Sequence, residues 1–365
     1  MPPSDESHDQ FHAPEPAPAG LEREKFAARE IAQVLSHYEL GVIHQIREYR
    51  RGSRRSPKLR LEAERGHFLL KRKVKGYAED HARTVHDLQR LAGLARVPIA
   101  PLVPLRTGGT LLSLGEHLYE VFEWIDGKRY ERDPAQAREA GVALARLHKA
   151  FDAVGSPGRL PAGGFSDIDA VRRSLRLAET AALRTTPPEA HVDLVSLVSQ
   201  LDDHTARVGR KLSEKGIGGQ LSCPCHGDFH PGNTLWSGVT LAAVIDFDSA
   251  RHESVAAEVA NAALQFSIKH RVGADPDAWQ VGLDPDRLRA FIEGYRSQPA
   301  IAVREDVAQL LPWLMISAVI AEAAVPIARD GTFAEIPAVP FLRATARLVD
   351  WIAQRTRAIT GLFPA

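Results

Sequence analysis

Two short segments restrict this chain more than any other part of it: His226-Gly-Asp-Phe-His-Pro-Gly-Asn-Thr-Leu-Trp236 and, after one apolar run, Val244-Ile-Asp-Phe-Asp248. The first carries an acid, Asp228, and an amide, Asn233, in one stretch rich in turn residues. The second places Asp246 at the end of the strand-like run Leu241 to Ile245, with Asp248 just beyond. Moving a phosphoryl group onto an alcohol requires a carboxylate that orients the hydroxyl and takes its proton, and oxygen ligands that hold Mg2+ against the phosphates. Asp228 fits the first requirement. Asn233 and Asp246 fit the second from opposite sides of a cleft, and Asp248 is a candidate further metal contact. The fold must therefore set a loop beside a strand end. His226 has two ring nitrogens that can satisfy buried carbonyls and carboxylates, so it is read as a brace for the loop backbone. His230, in the same loop, is a second candidate for loop support or substrate contact.

Both segments resemble the aminoglycoside phosphotransferase and choline kinase family, whose fold is similar to that of protein kinases and which includes homoserine kinases and sugar kinases. In that family an H-x-D-x-x-x-x-N loop supplies the catalytic Asp and a metal-binding Asn. An I-D-[FW]-[DE] strand end supplies the other metal ligand. The pattern falls residue by residue on Asp228, Asn233 and Asp246. The resemblance implies an α+β, bilobal protein-kinase-like fold, with a small antiparallel β-sheet in an N-lobe and a larger, mainly helical C-lobe. It also implies ATP and Mg2+ as cofactors, and as acceptor the hydroxyl of a small molecule: an amino alcohol, a hydroxy amino acid, a sugar or an aminocyclitol. It covers about residues 40 to 350, with its specific motifs confined to 221–260.

Charge points the same way, towards a partner chosen locally. Lys plus Arg and Asp plus Glu are 46 each, so no global field recruits nucleic acid or an anionic membrane. Hydrophobic residues at 44% and charged residues at 25% match a soluble globular protein. The two cysteines, Cys223 and Cys225, flank Pro224, too close to staple a fold and too few for a structural zinc site. They are read as small buried thiols in a reducing compartment. The N-terminus is rich in proline and lacks an apolar core of signal-peptide length, and no later apolar run is read as a membrane span. The expectation is a cytoplasmic protein with a disordered tail over residues 1–21.

Residues 22–125 read as the N-lobe. A helix is expected over Glu22–Ser36, then strands at Val42–Tyr49, Leu59–Ala63 and Phe68–Lys71, where apolar and charged residues alternate. In a kinase-like lobe the connection after the first strand covers the nucleotide phosphates, and a lysine on the third strand reaches them. Lys71 fits that lysine, with Arg72 or Lys73 facing inward instead if the register slips. The covering loop, Arg50 to Pro57, holds one glycine; Gly52, Ser53 and Arg54 are its candidate phosphate contacts. Solvated arginines are the other reading, and a nucleic-acid patch ranks last because no aromatics are interleaved. The helix Asp80–Leu94 should hold the acid that pairs with Lys71, yet its centre has no Glu, leaving Asp87, Asp80 or a different device involving His86. Thr107–Thr110 reads as a hairpin turn between strands, and His117–Ile125 as the last strand, with Glu123, Trp124 and Ile125 as hinge residues for adenine.

Residues 126–365 read as the catalytic and substrate-binding C-lobe. Asp133-Pro134 caps a helix over Ala135–Phe151, in which His148 is read as packing. Further helices are expected at Asp167–Thr185, Pro188–Gly216, Ala256–Ile268, Asp284–Tyr295, Val307–Ala324 and Pro340–Thr360. Glu258 is either a support for the catalytic loop or a solvent-facing acid, and Arg251 lies where an acceptor would bind. Glu322 interrupts an apolar helix, where a carboxylate is costly unless paired or facing a cleft, which makes it a substrate-pocket candidate. The late helices carry few acids, so a polycationic antibiotic acceptor is not favoured. The competing reading is a nucleotide-binding pseudokinase or regulatory protein without turnover, suggested by the irregular phosphate loop and the missing helix Glu. Phosphorylation of protein side chains ranks lower, because only about ten residues separate Asp248 from Glu258.

Overall fold

The computed structural model describes residues 23–50, 55–152, 160–214, 222–269, 275–298 and 308–362. It has the two-lobed α+β architecture expected. In the first lobe, strands β1 (Ile43–Glu48), β2 (Lys58–Ala63), β3 (Gly66–Arg72), β4 (Leu112–Leu114) and β5 (His117–Glu123) form one antiparallel sheet in the order β1-β2-β3-β5-β4. Side chains alternate across a strand, and this alternation divides the sheet's labour. Leu59, Leu61, Phe68, Leu70, Tyr119 and Val121 point to one face and pack with Val34 and Tyr38, contributed by helix α1 (Ala28–Leu35) and the turn after it. Arg72 shares that face: its guanidinium pairs with Glu24 and Glu30 at 2.8 Å each. The opposite face carries Lys58, Lys71 and Glu120, and turns towards helix α2 (Glu79–Leu94) and the second lobe.

The second lobe is built from α3 (Pro134–Asp152), α4 (Ile168–Leu183), α5 (His191–Glu214), α6 (Val255–Ser267), α7 (Pro285–Arg296), α8 (Leu311–Asp330) and α9 (Ala338–Gln354) around one apolar core. Asp133 caps α3 as its sequence indicates, accepting from Ala135 N at 2.7 Å. Two small antiparallel ribbons sit at the lobe's upper end. One pairs β6 (Ser222–Cys225) with β9 (Arg251–Ser254), and the other pairs β7 (Thr234–Ser237) with β8 (Thr240–Val244). The chain passes from the first ribbon to the second through 226–233 and back through 245–250. This connectivity sets the two sequence motifs side by side.

Three expectations are corrected. Thr107–Thr110 is not the hairpin between strands: β4 and β5 turn at Gly115-Glu116, and the earlier turn is closed by Leu105 N to Gly109 O at 2.9 Å. Glycine in both stretches supports either reading from sequence alone. The helix expected to stop at Ala324 runs six residues further to Asp330 as α8. Pro326 lies inside it and removes one backbone donor, but buried Ile327 continues the packed face and Gly331, at φ 76°, caps the end. Run to that length, α8 is also long and apolar enough to cross a membrane, with a mean hydropathy of 1.8, contrary to the reading that no segment is. Here 72% of that stretch is buried inside the fold, as the core helix of the lobe. Both cysteines are buried and free.

Candidate active site

The two motif segments meet through their backbones. Ile245 N donates to Asn233 O at 3.0 Å, and His226 Nε2 to Ile245 O at 3.2 Å, while Nδ1 of the same ring accepts from Asp228 N at 3.3 Å. His226 is fully buried, and burial lowers its pKa, so the neutral ring with one donor and one acceptor matches its two partners. Below the loop, Glu258 on α6 accepts from Gly227 N at 2.5 Å, His226 N at 3.2 Å and His148 Nε2 at 2.7 Å. Burial would push Glu258 towards its neutral form, but the hydrogen bond from His148 and these backbone donors outweigh that and hold its pKa down. His148 in turn accepts from Tyr295 OH at 2.8 Å, which makes it a packed link between α3, α6 and α7. Gly227 has φ 78°, and a Cβ there would lie 2.1 Å from Ser249 O, so the loop approaches the second motif more closely than any side chain allows. Arg251 closes the arrangement by donating to Gly227 O at 2.5 Å and Ser249 O at 3.2 Å.

This scaffold leaves Asp228 half exposed. Asn233 Nδ2 donates to Asp228 O at 3.0 Å and Oδ2 at 2.9 Å. With its nitrogen turned to Asp228, the amide oxygen of Asn233 is left for a cation. Asp246 stands in the left-handed region at φ 64° and ψ 63°, a conformation an acid seldom adopts and one that costs about 1 kcal/mol or more. The carboxylates of Asp246 and Asp248 with the amide oxygen of Asn233 make a hard oxygen donor set, which fits Mg2+. His230 Nδ1 accepts from Gly232 N at 3.0 Å, leaving its Nε2 3.5 Å from Asp228 Oδ2. Burial lowers the His230 pKa, but Asp228 more than offsets this and raises it overall.

Across the cleft, three ammonium groups meet three carboxylates. Lys71 Nζ lies 2.9 Å from Asp246, 2.8 Å from Asp248 and 3.6 Å from Glu120. Lys73 Nζ lies 2.5 Å from Asp248 and 2.7 Å from Glu120, and Lys58 Nζ 3.9 Å from Asp246. Alternation along β3 sets Lys71 on the cleft side and Arg72 on the face packed against α1, and Lys73, just beyond the strand end, returns to the side of Lys71, so both lysines turn inward with no slip of register. Burial opposes charge on Lys71, yet Asp246 and Asp248 raise its pKa well above the ordinary value. Lys71 in return lowers Asp246, and Lys71 with Lys73 hold Asp248 down against the upward push of burial. The acid for Lys71 comes from neither Asp80 nor Asp87. Asp87 is exposed and 4.0 Å from Arg90, whereas His86 from the same helix donates from Nε2 to Glu120 at 2.8 Å.

A cleft of about 530 Å³ opens beside this cluster, lined by residues of both lobes. Glu123, Trp124 and Ile125 lie along it with Lys58, Lys71, Asp246 and Asp248. Trp124 is fixed at its mouth, with Nε1 donating to Asp126 at 2.9 Å and the Arg60 guanidinium 4.5 Å over its ring. Gly52, Ser53 and Arg54 lie outside the described residues. Outside the lining of the cleft, Glu322 of α8 is raised in pKa, first by burial and then by the charge of Asp228, with His230 and Arg251 opposing. The same electrostatics put Glu322 on the Asp228 side of its helix.

A sequence profile described as the phosphotransferase enzyme family matches residues 45–327. The chain belongs to this family. The matched region of this phosphotransferase takes in both the strand that carries Lys71 and the two motif segments. A protein of Deinococcus radiodurans is 30% identical over 168 residues, which is 45% of either chain, so the match spans less than half the length of that relative. Among solved structures, amicoumacin kinase in complex with AMP-PNP, Ca2+ and Ami aligns with a TM-score of 0.64 at 12% identity, over 89% of this chain and 94% of the other. A microcompartment-associated aminopropanol kinase aligns at 0.60 with 18% identity, over 91% and 98%. At these identities the likeness is one of fold.

Sequence reasoning missed Glu120 in this phosphotransferase, and named Lys73 only as a replacement for Lys71 after a register slip, not as a lysine that faces inward beside it. The signals were present: a charged residue in the middle of the strand H-L-Y-E-V-F-E, and two lysines two residues apart, Lys71 on β3 and Lys73 just beyond its end. A buried strand charge must find a partner. What the sequence lacks is the strand order that sets Lys71 directly opposite Glu120.

Proposed function

We propose that this phosphotransferase is an ATP- and Mg2+-dependent small-molecule kinase that moves the γ-phosphoryl group to a hydroxyl. The observation that carries the reading is the convergence of three separate segments: Lys71 and Asp246 pair within a cleft of about 530 Å³, and Asn233, which holds Asp228, is bonded to Ile245 next to Asp246. Residues 22–125 hold the nucleotide and 126–365 the chemistry. Asp228 orients the acceptor hydroxyl and takes its proton, and its carboxylate is kept in place by Asn233. Asn233 and Asp246 hold the metal, with Asp248 as a further ligand; bound there, the cation neutralises charge on the phosphates. Lys71 steadies the phosphates, and Glu123, Trp124 and Ile125 cradle the base. His226 and Arg251 keep the loop aligned from beneath. His230 and Glu322 line the acceptor side of Asp228, so a hydroxyl-bearing metabolite with hydrogen-bond donors suits the site. The aminopropanol and amicoumacin kinases, which share the fold, are in keeping with a small acceptor.

The test is acceptor-dependent ADP release with Mg2+ and ATP across amino alcohols, hydroxy amino acids, sugars and aminocyclitols, with Asp228→Asn in parallel. Release stimulated by one acceptor class and reduced at least about 100-fold in the variant is expected. Nucleotide binding with no stimulation by any acceptor class, and with wild type and variant indistinguishable, would instead establish the pseudokinase reading.

A further inference from the structure

Lys71 has three carboxylates within 4 Å, and they are not equivalent. Asp246 and Asp248, at 2.9 and 2.8 Å, come from the second lobe and belong to the metal donor set. Glu120, at 3.6 Å, comes from the same sheet as Lys71 and sits directly opposite it on β5. Once the two aspartates turn to a cation, Glu120 is the acid left to Lys71. We infer that Glu120 is the positioning residue for Lys71, that Lys73 is the internal counter-ion keeping Glu120 charged, and that this pair replaces a direct ion pair between Lys71 and helix α2. The inference rests on the phosphotransferase reading of the site.

The geometry supports each part. Glu120 has no exposure, and a buried lone carboxylate would take up a proton. Burial does push it that way, but Lys73, Lys71 and the hydrogen bond from His86 outweigh it and hold its pKa below the ordinary value. Its two oxygens are divided. Oε2 accepts from His86 Nε2 at 2.8 Å, since a carboxylate can only accept, and that ring's Nδ1 lies 2.7 Å from Thr110 Oγ1, a hydroxyl that can serve either role. Oε1 faces both lysines in ion-pair contact. Lys73 is 1% exposed and does not line the cleft, which suits a counter-ion rather than a phosphate ligand. It also holds Oδ1 of Asp248, so that only Oδ2 is turned towards Lys71 and the cleft.

The anchor's location has a mechanical consequence. β5 lies inside the sheet between β3 and β4, so Glu120 cannot leave Lys71 without breaking strand pairing. An acid on a helix moves with that helix; an acid on the neighbouring strand does not. The alignment of Lys71 is thereby coupled to α2 only indirectly, through the buttress His86 on Glu120.

A double-mutant cycle tests this, read out by binding of a fluorescent ADP analogue in the presence of Mg2+, which draws Asp246 and Asp248 away from Lys71. Glu120→Gln is expected to weaken binding by about tenfold in the wild-type background and by no more than about twofold when Lys71 is already Met. If Glu120→Gln fails to fold, the charge-balanced pair Glu120→Gln/Lys73→Met takes its place, since exchanging both buried ions for neutral groups is commonly tolerated. Equal losses in the two backgrounds overturn the inference, because Glu120 would then act on the fold at large; so does the absence of any loss. A wild-type protein that binds no nucleotide overturns the phosphotransferase reading itself and this inference with it.

Discussion

Glu253 is held by burial rather than by a partner. It lies on β9, is 2% exposed, and accepts from the backbone of Ser166, at 3.3 Å, and of Phe165. Among the described residues its Oε2 meets no donor. Burial pushes its pKa up to about 7, with Arg251 opposing. Because the folded pKa lies above the unfolded one, the folded protein keeps the proton in a range where the unfolded chain has released it. Stability from this group is therefore full at acid pH, falls as pH rises from about 4.5 towards 7, and is lost above that. Glu253→Gln removes the titration while keeping the shape and the acceptor for Ser166 N. The variant should match the wild type near pH 5 and exceed it at pH 8 by something on the order of 2–3 kcal/mol. Unfolding midpoints of the two proteins from pH 5 to 8 decide the matter: parallel curves would mean that Glu253 is charged throughout. Asp246 runs the other way. Lys71 lowers its pKa, so its contribution is present at neutral pH and is lost only in acid.

At the scale of elements, the catalytic loop is an ornament of α6. Three donors from two elements, His226 N, Gly227 N and His148 Nε2, converge on the Glu258 carboxylate. In Glu258→Gln one of them would face an amide nitrogen, which cannot accept. Each hydrogen bond to a charged group contributes about 1.5–3 kcal/mol, so a loss of roughly 2–4 kcal/mol in unfolding free energy is expected. Turnover should drop at least about 100-fold because Asp228 is displaced, while ADP affinity stays close to wild type, since the hinge is untouched. Unfolding and nucleotide titration of one preparation test both halves, and an equal loss of turnover and ADP affinity would show that α6 supports the whole cleft. Helices and strands of this kind are legible in the sequence because their periods are local: the two motifs single out Asp228, Asn233 and Asp246, and four of the five strands of the first sheet can be read, whereas the three-residue β4 is too short to show a period. What is not legible depends on partners far along the chain. Glu120 answers to Lys71 and Lys73 through strand order, and Glu258 to a loop about 30 residues away, so a lone buried acid announces a partner without naming it. Pro326 misleads in the opposite direction, being a local stop signal overruled by the packing of Ile327.

For the whole molecule, the two lobes are joined across the cleft by the same groups that the chemistry needs. Lys58, Lys71 and Lys73 belong to the first lobe, and Asp246 and Asp248 to the second, with Tyr77 OH also donating to Asp248 O at 2.9 Å. A cation that occupies the aspartates must displace ammonium groups, and so exchanges an inter-lobe contact for a metal contact. Phosphates arriving with the cation give the freed lysines a new partner. Cation and nucleotide are therefore expected to stabilise the protein together and not separately. A ligand at a hundredfold excess over its Kd adds about 2.7 kcal/mol, which corresponds to a rise of a few degrees in the unfolding midpoint for a chain of this size. ADP with Mg2+ should produce that rise, and Mg2+ alone should produce none or a small fall. Asp246→Asn, which keeps a residue tolerant of the left-handed conformation, should abolish the part of the rise that depends on Mg2+. A rise with Mg2+ alone as large as with Mg2+ and ADP would place the cation away from the aspartates, and the lysine contacts would then hold the lobes in every state of the enzyme.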